Sequence, residues 1–208
     1  MYYSRKQIDE FDKIYKINLI NSCSGYKSAN LIVSKSKTGL HNVAVFSSVT
    51  HLGSNPPLLG FILRPTTVPR HTYSYIKEQG YYTINHIHED ILKDAHHTSA
   101  KYSKETSEFS MTNLQEEYLN DFKVPYVMGS PVKIGMKYIE EYHIKSNNVL
   151  MIVGEIIALH IGDELIEKNG FINLSKGNVA TINGLDGYAI PRLKTRFGYQ
   201  RPLKQKRS

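Results

Sequence analysis

Tryptophan is absent, cysteine occurs once and no apolar run is long enough to cross a bilayer. A spanning helix needs about 20 apolar residues, and the longest run, Val149 to Leu159, is broken by Gly154 and Glu155. Met1-Tyr-Tyr-Ser-Arg-Lys-Gln7 has no apolar core of the kind a secretory leader carries, so none is expected. One thiol cannot close an internal disulfide, which fits a reducing, cytoplasmic setting. Cys23 is expected as a small buried hydrophobe rather than a catalytic nucleophile. Also missing are a Gly-x-Ser-x-Gly elbow, a Gly-x-Gly-x-x-Gly turn, a phosphate-binding Gly-Lys-Ser loop and a His-Glu-x-x-His zinc helix. No internal repeat or low-complexity linker divides the 208 residues, which are expected to form one domain.

The charge is unevenly placed. Seven of the 26 basic residues lie in 187–208, where there is no acid, so residues 1–186 hold 19 basic and 19 acidic side chains. The net charge of +7 therefore belongs to a basic C-terminal tail, 192–208, on a neutral body. A solvated tail is the simplest reading. Help in binding an anion is a second, and nucleic-acid binding is not expected of a tail without interleaved aromatics.

Hydrophobic residues make up 40% of the chain, with 15 Tyr and 7 Phe, a composition suited to pleated surfaces around a sizeable core. Ser4-Arg-Lys-Gln7 fits a capping box opening an N-terminal helix to about Ile14, within residues 1–17, and Asn18 to Ser28 reads as turn-rich. Strands are expected at Ala29–Lys35, Val43–Phe46, Leu58–Leu63 (buried on both faces) and Tyr81–His86. A long hairpin is expected over Val132–His143 and Asn148–Ile161. Helices are expected at Thr72–Gln79, stopped by Gly80, at His88 to about Lys104, and within Ser107–Asp121, with a loop-rich remainder. The pattern is mainly β (β+α): a β-barrel with peripheral helices.

Residues 44–72 carry the most chemical information. An apolar strand leads into Ser47, Ser48, Val49 and Thr50, whose hydroxyls and backbone N–H groups suit the polar edge of a flat heteroaromatic ring. Pro56 and Pro57 stiffen the following turn. After the next strand come Arg64, Thr66, Thr67, Arg70, His71 and Thr72 at a helix start, where unpaired N–H groups and arginine forks favour phosphate. The threonines can equally be simple helix caps.

The order Ser47-Ser-Val-Thr50, Asn55-Pro-Pro-Leu58, Arg64, Arg70-His-Thr72, Gly80-Tyr-Tyr-Thr-Ile-Asn85 resembles the flavin reductase-like, FMN-binding split-barrel family. Ser107-Glu-Phe109, Gly154-Glu155 with His160, and Gly187-Tyr188 with Arg192 extend the resemblance over roughly residues 20–200. The chain departs from the family at Asn55, where Asp is common, at the paired Arg70-His71, and in the stiff Pro65-Thr-Thr-Val-Pro69 segment.

The resemblance implies a split β-barrel homodimer that binds FMN and takes hydride from NADH or NADPH. Retained FMN acting on another substrate, or flavin binding without catalysis, are the alternatives. It places Ser47, Ser48, Val49 and Thr50 at the flavin ring and ribityl chain, and Arg64, Thr67, Arg70, His71 and Thr72 around the ribityl and phosphate groups. No catalytic side chain and no metal are implied, and a monooxygenase is a possible partner. His86, His88, Glu89, Asp90, His96 and His97 could be caps, cofactor-facing groups or metal ligands. Glu140-Glu141 reads as a surface pair.

Overall fold

A computed structural model describes residues 1–65 and 67–202. Thr66, and Lys204, Lys206 and Arg207 of the tail, lie outside the described residues. The elements in chain order are helices α1 (Arg5–Glu10) and α2 (Lys13–Cys23), then strands β1 (Lys27–Ser28), β2 (Asn30–Lys35), β3 (His41–Phe46), β4 (Thr50–Ser54) and β5 (Pro57–Leu63). Helix α3 (His71–Gln79), β6 (Tyr81–His86) and α4 (Leu92–His97) follow, then β7 (Glu116–Glu117), β8 (Tyr126–Val127), β9 (Val132–Ile144), β10 (Val149–Ile161), β11 (Thr181–Asn183) and β12 (Gly187–Ala189). Among the described residues no helix is long and apolar enough to cross a membrane.

The Ser4–Gln7 capping box is present, with Ser4 N donating to Gln7 Oε1 at 2.9 Å. The helical stretch does not end at Ile14, however. Asp12 caps a second helix, accepting from Ile14 N at 2.8 Å and Tyr15 N at 3.4 Å. Residues read as turn formers are helical here, and their side chains bond back to the preceding turn. Asn21 Nδ2 donates to Ile17 O at 2.8 Å and Ser22 Oγ to Asn18 O at 2.7 Å. Cys23 ends that helix and is exposed, contrary to the expected burial.

Seven strands form one antiparallel sheet in the order β3-β2-β6-β9-β10-β5-β4. Its edge strands, β3 and β4, are consecutive in the chain and joined only by Ser47, Ser48 and Val49. The four steps from Phe46 to Thr50 span at most about 14 Å, so the sheet must roll up until its edges approach there. Thr50 to Ser54 is thus an edge strand rather than part of a turn. The turn proper is Asn55–Pro56, whose peptide bond is cis.

Alternation along β2 supplies two cores. Ile32 faces the barrel interior with Phe61, Tyr82, Ile84, Met136 and Ile152. Leu31 and Val33 face outward, beneath Ile87, Ala95, Val124, Val127, Ala180 and Ile182. Full burial of β5 does not hold: Gly60, Phe61 and Leu63 are buried, while Pro57, Leu58, Leu59 and Ile62 are half-buried.

The expected hairpin of β9 and β10 is present. The two expected polar helices are much shorter. Between His88 and Lys104 only a 3-10 turn, Glu89–Ile91, and α4 form. Between Ser107 and Asp121 there is a 3-10 turn, Glu108–Met111, and β7. Glu108 is drawn out of any longer helix by the sheet edge, where its Oε2 accepts from Val43 N at 3.0 Å. The remainder expected as loop contributes β11 and β12, which join β1 in a three-stranded sheet. The basic tail is tied down at its start: Arg192 Nη1 donates to Asn178 Oδ1 at 3.1 Å. Arg196 pairs with Glu167 at 2.6 Å and lies 3.7 Å over the Phe171 ring.

Tyr82 is fully buried, and its hydroxyl has no hydrogen-bond partner among the described residues. It sits against Gly154, where an added Cβ would overlap the Tyr82 oxygen. Gly154→Ala is expected to destabilise the fold by about 1–3 kcal/mol through overpacking. Tyr82→Phe, which removes an unpaired buried hydroxyl, is expected to be neutral or stabilising and to recover part of the Gly154→Ala loss when combined. Chemical denaturation of the three variants checks both signs.

Candidate functional site at the barrel seam

The seam is built by Ser47, Ser48 and Val49. The Ser48 hydroxyl donates to Ile62 O at 3.2 Å and accepts from Ile62 N at 3.0 Å, clamping the link to β5. The Val49 side chain packs against the interior cluster beside Phe46 and Leu59. Its carbonyl accepts from Ser28 Oγ at 3.2 Å. Ser47 is half-buried and Thr50 exposed. The hydroxyl of Ser48 is therefore occupied within the protein. What this rim offers a ligand is its rigid backbone and the Ser47 and Thr50 side chains.

The second group lies elsewhere. Arg64 is exposed, two residues beyond the clamped Ile62. Thr67 is exposed in the connecting loop. Arg70 occupies the cap position of α3, with no side-chain cap bond, and its Nε donates to Pro65 O at 3.3 Å. His71 stacks on Tyr75, ring centroids 6.2 Å apart. Thr72 is not a cap: it is 5% exposed and its Oγ1 accepts from Asn42 Nδ2 at 2.9 Å.

Asn42, at the start of β3, was not singled out from the sequence. It reads there as one polar residue in a turn, and only the fold reveals that it pins a helix. From Asn42 to Ser47 the strand rises about 17 Å. The hydroxyl-rich rim and the start of α3 therefore sit at opposite ends of β3, with residues 64–70 connecting them.

The start of α3 is electrostatically positive. The first α-helical bond is Ser74 N to Arg70 O, 3.0 Å. The N–H groups of His71, Thr72 and Tyr73 have no acceptor among the described residues. Such a terminus carries partial positive charge and donors aimed outward. With Arg70 and His71 beside it, it fits a phosphate. The helix is braced behind by Glu141, which is not a free surface acid. Tyr73 Oη donates to it at 2.8 Å, Tyr138 Oη at 3.0 Å and Lys77 Nζ at 3.3 Å. Burial works to raise the Glu141 carboxyl, but these donors outweigh it and hold it below its ordinary value.

The histidines scatter. His88 faces Asp90 at 3.6 Å, His96 meets the Tyr188 hydroxyl at 3.2 Å and His97 the Tyr102 hydroxyl at 2.6 Å. Among the described residues no three His, Cys, Asp or Glu side chains come together as a metal site. His86 is different: its Nδ1 is buried without a partner among the described residues, and burial pushes its pKa down to about 4.

Residues 23–179, most of the chain, match the family model of the flavin reductase like domain. The chain belongs to the flavin reductase-like family. The family chain is 41% identical to a split-barrel protein assigned as a flavin reductase from Shewanella frigidimarina, covering 96% of this chain and all of that one with a TM-score of 0.93. It also resembles nitrilotriacetate monooxygenase component B from Bacillus cereus, with 17% identity, TM-score 0.81, and 95% and 98% of the two chains covered. Flavoredoxin of Desulfovibrio vulgaris (Miyazaki F) gives 17% identity, TM-score 0.73, and 84% and 91% covered. The last two likenesses speak for the fold alone. The mainly β split-barrel architecture expected from the sequence is the one present, and the protein is a flavin-related oxidoreductase by family.

The His86 environment has a consequence for pH. The folded chain holds this proton less tightly than an unfolded chain, whose histidine titrates near 6.5. Its contribution is therefore fully present above pH 6.5 and is lost as pH falls toward 4. Over that window wild-type stability is expected to drop by roughly 2 kcal/mol more than that of His86→Phe. Urea midpoints at pH 7 and pH 4.5 measure the difference.

Proposed function

We propose that the protein reduces FMN with NADH or NADPH. The reading is carried by the separation of two unlike half-sites along β3. One is a rigid, uncharged rim at Ser47, Ser48, Val49 and Thr50. The other is a bare helix start flanked by Arg70, His71 and Thr72, with Arg64 and Thr67 on the connection. An extended flavin mononucleotide, with a planar ring at one end and a phosphate at the other, matches that polarity and length. The flavin, when bound, supplies the hydride acceptor for the nicotinamide. The chain's own residues orient it: the Ser48 clamp holds the rim, and Asn42 with the Glu141 brace holds the helix start. Hydride transfer between two bound nucleotides asks for position rather than for an acid, base or nucleophile from the chain.

One alternative is that FMN is retained as a prosthetic group for another substrate. The likeness to a monooxygenase component B supports a monooxygenase as the consumer of reduced flavin. Exposed Leu52, Ile139, Ile157 and Leu159 on β4, β9 and β10 support a homodimer, since apolar faces of this kind are commonly covered by a partner. A single domain over 1–208, working in the cytoplasm, completes the proposal.

The test is an absorption spectrum after dialysis, followed by NADH and NADPH oxidation with added FMN. Saturable oxidation above the free-flavin rate supports the reductase. A flavin spectrum that survives dialysis supports the retained cofactor, and no oxidation above the free-flavin rate overturns both catalytic readings. Arg70→Ala is expected to weaken FMN binding by about 1.5–3 kcal/mol and to erase the preference for FMN over riboflavin. Equilibrium titration with both flavins checks this, and an unchanged preference sinks the phosphate assignment.

A further inference from the structure

Four polar side chains from three parts of the chain meet at the hairpin end of β2 and β3. Lys35 and His41 are register partners there, so their side chains share one face with Cβ atoms about 5 Å apart. It is the outward face, continued by Val33 and Val43. Glu116 of β7 and Tyr118, just beyond β7, close over it.

The contacts run in series. Glu116 Oε2 lies 2.7 Å from His41 Nδ1. His41 Nε2 lies 3.0 Å from the Tyr118 hydroxyl. Lys35 Nζ donates to the same hydroxyl at 3.0 Å. A carboxylate only accepts, so Nδ1 carries a proton, and Nε2 of the neutral ring is then an acceptor. An ammonium only donates, so the Tyr118 proton points to Nε2. The order is Lys35, Tyr118, His41, Glu116, each donating to the next.

A hydroxyl, an imidazole base and a third group that orients the base are the parts of an activated nucleophile. His41 can take the Tyr118 proton. Glu116 then stabilises the imidazolium, and Lys35 the phenolate. Two other histidine–tyrosine pairs, His96 with Tyr188 and His97 with Tyr102, lack the flanking carboxylate and ammonium among the described residues.

The exposures suit such a role. The His41 and Glu116 side chains are 15% and 29% exposed, whereas Tyr118 is 50% exposed. Both hydrogen bonds to its oxygen lie at the surface. Lys35 takes one of the two lone pairs of that oxygen, and the other is left for an electrophile. A surface oxygen activated by its neighbours suits a small acyl donor with a good leaving group.

We propose that Tyr118 accepts the acyl group of small aryl esters. Its oxygen bonds to the ester carbonyl carbon, its proton passes to His41 Nε2, and the C–O bond to the phenol breaks. The phenol leaves with that proton and O-acyl-Tyr118 remains, with nothing oxidised or reduced. The inference does not use the flavin reading. Asn42, next to His41 on β3, turns to the opposite face and holds Thr72 at the start of α3.

The full chain with p-nitrophenyl acetate tests it, acylation being read at each tyrosine by peptide mass mapping over time. Tyr26 and Tyr199 serve as references: they are 66% and 95% exposed, and neither is bonded to a histidine among the described residues. Tyr118 is expected to react about 100-fold faster than either. His41→Gln is expected to bring it down to the reference rate, and Lys35→Met to slow it. Equal acylation of the three tyrosines in the wild type overturns the proposal, as does acylation of Lys35 in place of Tyr118. A Tyr118 preference that survives both substitutions overturns it too, by showing that exposure alone sets the rate.

Discussion

The whole architecture depends on the shortness of one connection. Because only Ser47, Ser48 and Val49 join β3 to β4, the two edges of a seven-stranded sheet are held together. Ser48 then ties the join to β5 through both backbone groups of Ile62. β3 and β4 do not pair with each other, so the join holds the two edges close at one end of the sheet. Closure also creates the interior in which Phe46, Phe61 and Tyr82 meet edge to face, with centroids 5.1 and 5.7 Å apart. Ser47, Ser48 and Val49, with Thr50, also form the proposed ring-binding rim. The candidate site is thus located where the barrel is fastened, and its backbone owes its rigidity to that fastening.

The other end of β3 shows the complementary device. Glu108 satisfies the edge N–H of Val43, and Asn42 holds Thr72. With Glu141 gripping the outer side of α3 through Tyr73 and Lys77, the helix is positioned by side chains that leave its first N–H groups unbonded. A helix fixed from behind can keep its positive end bare without fraying, which is what an anion site needs. Uncharged rim and basic end follow from one strand having two differently finished ends.

Much of this was readable from the chain, for local reasons. Apolar runs at Ala29–Lys35 and Tyr81–His86, the 145–148 turn and the Gly80 stop, with its φ of 72°, follow from alternation and from glycine's freedom. The errors have a common cause. Asn18 to Ser24 and Ser107 to Asp121 are rich in polar residues whose local preference is ambiguous. The first stretch is helical, capped by Asp12, with its polar side chains bonded back along the helix. The second unravelled because Glu108 found a strand edge. Cys23 was misplaced because the expectation rested on cysteine's usual burial, whereas α2 buries none of its residues.

Residue chemistry and order along the chain determined by themselves the mainly β class, the absence of local catalytic motifs, the family resemblance, and the division of 44–72 into hydroxyl-rich and basic halves. Tertiary structure alone decided which hydroxyls are already engaged, as in Ser48 and Thr72. It also decided which groups are left bare, as in the start of α3, and which distant residues meet, as in Asn42 with Thr72 and His41 with Tyr118. The physical reason is that hydrogen bonds between strands and helices form across long sequence separations. A residue's type states what it can donate or accept, but only the packed chain determines whether a partner has already taken it.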